Sequence, residues 1–447
     1  MGTRSGTGVA LLATTLLLLG AAGCGDSAAR DGVSSAASST AGPPPASPPG
    51  SGDHDEPPPR GPAPSGSALD RATWSELPEA PIAGRRSAAA AWTGTEMLVW
   101  GGTADFQQSF ADGAAYDPAA RTWRTLPASP LSARVPGTSL WTGNAFFVWG
   151  GTPDGDGALY DPRSNSWTAV PGLPAGPTAD AVSVWTGSEI LLFPYDPGDG
   201  TRTTGVQGWA WVPGQTRWTA LPELVLPTGH PALKLTAVMA GDVLYLWSAW
   251  SRTDDTSAST PGRMSSTTVS GIDTFRFSSV GAPGWAAAPE VMGTRDGLDS
   301  VIWTGQELVL TAAPEWLPRS AGPPRPSRPG RRYTPANGAG GAVAVGPLDD
   351  TTTQQLWAGD RLIAVDAPGW WRILSGTPAP AAGSAAAWDP ATDSWTPLAT
   401  APSSSSGHGV AAVWTGTSLV LWGLLTSDPP SAQCIRFHGA GLQLAAG

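Results

Sequence analysis

Eight polar residues recur just ahead of short apolar runs: Arg86, Arg134, Asp180, His230, Arg295, Asp296, Asp350 and His408. Arginines and carboxylates converging on one mouth can grip a carboxylate or a sugar. The same groups can equally solvate that mouth or cap backbone groups. Other reactive side chains are few, with 4 His and 2 Cys in 447 residues. His54 lies between Asp53 and Asp55 in a Pro-rich stretch and reads as solvated rather than as a metal ligand. No Gly-x-Ser-x-Gly elbow, zinc-type spacing or phosphate loop stands out, so no catalytic residue, metal or cofactor is assigned. A Pro-rich segment with Arg319, Arg325, Arg328, Arg331 and Arg332 can dock an acidic partner or remain solvated. The net charge of -11 argues against nucleic acid and against an anionic membrane surface as partners.

The elements that must position these residues repeat along the chain. One unit reads Ala88-Ala89-Ala90-Ala91-Trp92-Thr93-Gly94, Glu96 to Gly102, Gly113 to Pro118 and Thr122 to Pro127. The next repeats it as Leu140-Trp141-Thr142-Gly143, Phe146 to Gly151, Ala158 to Pro162 and Trp167 to Pro171. Each is four short strands. Trp-Thr-Gly suits a tight hairpin, because glycine tolerates positive φ. Asp-Pro at 117, 161 and 389 precedes Trp123, Trp167 and Trp395, and sets the last hairpin. Burying each such indole is worth roughly 4–6 kcal/mol gross at 25 cal/mol per Å².

Trp92, Trp141, Trp185, Met239, Trp303, Trp357 and Trp414 mark the units, at steps of 49, 44, 54, 64, 54 and 57 residues. In its double glycines, Tyr-Asp-Pro and closing Trp the chain after about residue 70 resembles Kelch repeats, as in the central domain of galactose oxidase. The resemblance weakens after the second unit. It implies an all-β, seven-bladed propeller of four-stranded antiparallel blades over 71–447. Trp74-Ser75-Glu76-Leu77-Pro78 is a fourth strand with no first three. The last unit supplies Ala411 to Gly416, Ser418 to Gly423 and Cys434 to His438, then stops. We therefore expect Thr73 to Leu77 to complete blade seven and close the ring. The outer strand of blade five is placed at Gly341 to Val345.

The lead-ins to the blades and the connections between second and third strands should share one face. The long insertions Thr103 to Asp112, Pro194 to Gln207, Ala249 to Ser270 and Ala312 to Gly330 all fall there, where recognition usually lives. A galactose-oxidase-like radical copper site would need a Tyr cross-linked to Cys, a second Tyr and two His. No tyrosine lies near Cys434 in sequence. Sialidase-type Ser-x-Asp-x-Gly-x-x-Trp boxes are absent too. The reading is a binding scaffold for a protein or glycan, with a channel-mouth carbohydrate-active or oxidase-type enzyme as the alternative. A His held by a carboxylate in a deep channel would favour catalysis, and a Trp-plugged mouth binding.

The N-terminal segment has Arg4, an apolar run from Val9 to Leu19, and Gly20-Ala21-Ala22-Gly23-Cys24, which resembles a bacterial lipoprotein signal. The resemblance implies cleavage after residue 23 and acylation of Cys24. Residues 24–70, rich in Pro, Ser and Gly, read as a disordered tether. The expected location is therefore extracytoplasmic, anchored to the cell membrane by lipid, or otherwise secreted.

Overall fold

The computed structural model describes Leu69 and residues 71–445, apart from 105–107, 177–179, 196–204, 231, 233, 256–265, 279–283, 289–297, 313–329, 347–352, 367–384, 400–409, 424, 427–435 and 438–440. The signal-like segment, the tether and Cys24 lie outside the described residues. Within them the chain folds as seven four-stranded antiparallel sheets, the blades of a β-propeller. Blade one is Ala89–Trp92, Met97–Trp100, Gly113–Asp117 and Thr122–Thr125; blade two is Thr138–Trp141, Phe146–Trp149, Gly157–Asp161 and Ser166–Val170. Blade three runs from Asp180–Trp185 to Thr219–Ala220, blade five from Leu298–Trp303 to Ala339–Val343 and blade six from Thr353–Trp357 to Ser394–Pro397, while Ala411–Trp414 and Ser418–Trp422 open blade seven.

The second strands read as continuous apolar runs because both their faces are buried between neighbouring blades. Met97 and Val99 pack with Val413, Val420 and Trp422 of blade seven, while Leu98 and Trp100 pack with Phe146 and Val148 of blade two. At the first hairpin, the Thr93 hydroxyl accepts from the Glu96 amide at 2.9 Å, and Gly94 takes φ 101°. The double glycines serve contact between blades. A Cβ on Gly101 would stand 3.0 Å from the Arg134 carbonyl, and the Gly102 amide donates to that same carbonyl at 2.8 Å.

The fourth-strand tryptophans reveal a repeated clasp. Each indole N–H donates to a backbone carbonyl of the preceding blade, four residues beyond that blade's own equivalent position. The pairs are Trp123 to Pro78 (2.9 Å), Trp167 to Pro127 (3.1 Å), Trp218 to Pro171 (2.6 Å) and Trp285 to Pro222 (2.8 Å). Trp395 to Ala344 (2.8 Å) and Trp74 to Ala399 (2.6 Å) complete the set among the described residues. In blade five Gly340, opposite Tyr333, stands where the other blades carry Trp.

Ring closure follows the expected logic with a corrected partner. Thr73–Glu76 is the outer strand of blade seven, but it pairs with Gly441–Ala445, placing Trp74 opposite Leu444. The segment around Cys434 was expected there. Instead Arg436–Phe437 pairs with Leu425–Thr426 in a separate hairpin, and Cys434 and His438 lie outside the described residues. Gly441 opens the third strand because its position, like Gly113 and Gly157, tolerates no Cβ: one would meet the Leu421 carbonyl at 2.4 Å. The outer strand of blade five is Ala339–Val343, two residues earlier than its sequence placement. Gly423 crowds the Arg85 carbonyl as Gly101 crowds that of Arg134, so the seam between blades seven and one repeats an ordinary junction.

Candidate functional site

The lead-in residues and the starts of the third strands meet on one face. In blade one Arg85, 1% exposed, reaches from the lead-in to the Asp112 carboxylate at 2.5 Å and the Gly101 carbonyl at 3.3 Å. Its guanidinium lies 3.9 Å over the Phe110 ring. Blade two repeats this with Arg134, 2% exposed, which pairs with Asp156 and donates to the Ser132 hydroxyl at 2.7 Å and the Gly150 carbonyl at 3.4 Å. These arginines act as internal latches, tying each lead-in to the strand two places outward.

Blade four, Lys234–Ala240, Val243–Asp255, Ser266–Ser278 and Gly284–Ala287, varies the same device. Trp100, Trp149 and Trp247 stand opposite Gly113, Gly157 and Thr274, so Asp112, Asp156 and Asp273 occupy one equivalent position. At blade four the base is a histidine: His230 Nδ1 lies 2.8 Å from Asp273 Oδ2, and both side chains are 22% exposed. The imidazole stacks on Trp250, with ring centroids 3.7 Å apart and planes 12° apart. The second and third strands do not stop at the blade's edge as they do elsewhere. They continue in register to Asp255 opposite Ser266, a ribbon that replaces most of the expected Ala249 to Ser270 loop.

Blade three faces this corner from its own side. Asp180 opens its first strand directly opposite Tyr195, which packs against the cluster holding Ala232 and Leu235. Burial pushes the Tyr195 phenol up, and the Asp180 charge adds to the rise.

Of the eight residues singled out in the sequence, the structure brings His230 onto a carboxylate and an indole, and places Asp180 on the adjoining blade. Arg134 is spent inside blade two. Arg86 is half-buried, its backbone bridged to Thr103. Arg295, Asp296, Asp350 and His408 lie outside the described residues. Sequence reasoning missed Arg85, Trp250 and the three aspartates. The Asp-Gly pairs at 112 and 156, ahead of the third strands, were a readable signal for two of them. Arg331 and Arg332, grouped in the sequence with the Arg-rich insertion, belong to the third strand of blade five, and Arg332 donates to the Pro390 carbonyl at 2.9 Å.

This architecture defines the class, a seven-bladed β-propeller of four-stranded antiparallel blades. Among solved structures it is similar to a fungal alcohol oxidase of the AA5 family, in complex with copper, at 13% identity and a TM-score of 0.54 over 85% of this chain and 76% of that one. At that identity the likeness is one of fold. No protein-family model and no curated protein sequence matches the chain.

Among the described residues no copper set is assembled; His408, Cys434 and His438 lie outside them. Tyr116, Tyr160, Tyr245 and Tyr333 are buried within the blades, and His230 has its Nδ1 on Asp273 and one ring face on Trp250. Among the described residues no three His, Cys, Asp or Glu come together as metal ligands.

Proposed function

We propose that this protein is a binding scaffold of the cell envelope, held by a lipid on Cys24, that recognises a protein or glycan through the loop face of its propeller. The observation that supports this best is the indole stacked on His230. The stack sets an aromatic surface, at 3.7 Å, beside a histidine already held by a carboxylate. A partly buried, aromatic-backed pair on a rigid ring suits recognition.

The test is a glycan array and an envelope-protein overlay probed with the full-length protein in nanodiscs. Trp250→Ala and Asp180→Ala, on the loop face, should each weaken the interaction at least tenfold, and Asn144→Ala, in a hairpin turn of the opposite face, should leave it intact. Loss confined to the opposite-face variant would refute the assignment. The likeness in fold to an alcohol oxidase keeps one second reading alive, an oxidase-type enzyme at the channel mouth. Peroxide formed from a panel of alcohols by the copper-supplemented protein would establish it.

A further inference from the structure

Blades one and two show what the corner of blade four is built to hold. In both, a carboxylate ahead of the third strand and the carbonyl of the first glycine after the second-strand Trp receive a guanidinium, and in blade one an aromatic ring lies beneath it. Blade four keeps the carboxylate, Asp273, and supplies the aromatic ring, Trp250. It lacks the arginine, and the shorter His230 stands in for it. His230 engages Asp273 through its Oδ2 oxygen.

A second, independent observation marks the same corner. Ser248 occupies the position of Gly101 and Gly150, directly after the second-strand Trp and opposite Asp273 in the ladder. Its side chain is 0% exposed, and its hydroxyl has no hydrogen-bond partner among the described residues. A buried orphan hydroxyl costs about 1–3 kcal/mol unless something satisfies it. Directly opposed residues share a sheet face, so Ser248 and Asp273 lie on one side, with Trp250 two places along on the same side.

We propose that this corner binds a guanidinium from outside the chain, the arginine side chain of a partner protein. The guanidinium takes the imidazole's place against Trp250, forks onto both oxygens of Asp273 and reaches the Ser248 hydroxyl. The surroundings favour a cation: Asp180 stands on the adjoining blade, and the chain carries a net charge of -11. This rests on the loop-face recognition proposed above and names what that face reads.

Calorimetric titration of the full-length protein with N-acetyl-arginine amide, its lysine counterpart and agmatine tests it. Saturable binding of the arginine amide, at least tenfold tighter than the lysine amide, is expected, because lysine cannot present the planar fork. Agmatine binding equally well would assign a small guanidinium compound, and weaker agmatine binding a peptide; both uphold the site. Asp273→Asn should weaken binding at least tenfold. His230→Arg should abolish it while raising the melting temperature, since the chain's own arginine then fills the cradle as in blades one and two. That variant keeps the test decisive if Asp273→Asn does not fold. No saturable binding, no preference over lysine, or undiminished binding by His230→Arg would overturn the site. Glycan binding by the loop face with no arginine binding would sink this inference and leave the broader one standing.

Discussion

The arginine latches make an asymmetric prediction at the level of single residues. Arg134 is buried while its partner Asp156 is 42% exposed. Removing the acid strands a buried guanidinium, whereas removing the base leaves a carboxylate that water can reach. Asp156→Ala should therefore cost about 3 kcal/mol in urea denaturation, near the low end for breaking a buried pair. Arg134→Met, which keeps the bulk and deletes the charge, should cost less than about 2 kcal/mol. Equal losses would mean that the latch acts by packing alone. The sequence located Arg134 but named Arg86 in place of Arg85, since adjacent arginines leave the choice to a lead-in with no period of its own. It passed over Trp250 because Ala249 to Ser270, polar and rich in Ser and Thr, reads as a loop, and over Asp273 because no Asp-Gly pair marks it. Only the register of the ribbon shows that these residues prolong two strands.

Strands and junctions were largely legible, because the repeat carries its own packing rule. A Trp at the head of the fourth strand implies a neighbour for its indole, and six such neighbours are found. Blade seven was misread at its third strand because Cys-Ile-Arg-Phe-His alternates as a strand should, while the true strand, Gly-Leu-Gln-Leu-Ala, lies beyond it. Alternation shows that a strand exists, not which sheet it joins. The exception in blade five is testable. An ideal Cβ at Gly340 meets only the Arg332 carbonyl, at an ordinary 3.7 Å. Four residues past Trp285 the sequence has Pro289, the residue type that accepts an indole N–H at four other junctions. Gly340→Trp should therefore add the missing clasp and stabilise the ring by about 1–2 kcal/mol. An unchanged or lowered melting temperature would show that this seam is held differently. Trp74→Ala, which removes a half-buried indole and its clasp at the closing seam, should cost about 2–3 kcal/mol in urea denaturation.

For the whole molecule, the closing strand and the expected anchor lie on one stretch of chain, since Thr73 follows Cys24 by 49 residues. Any pull on the proposed anchor would therefore reach the propeller first through the outer strand of blade seven, where the Trp74 and Trp123 clasps hold it to blades six and one. The chain's net charge of -11 opposes an anionic surface, and no helix among the described residues is long and apolar enough to cross a membrane. On the proposed reading, membrane residence depends on acylation of Cys24, with Pro-rich parts of the proposed tether extending roughly 3 Å per residue. Cys24→Ser should move the protein from the membrane to the soluble fraction and abolish incorporation of alkyne-palmitate, with the propeller's melting temperature unchanged. Membrane association that survives the substitution would mean that something other than this cysteine holds the ring at the surface.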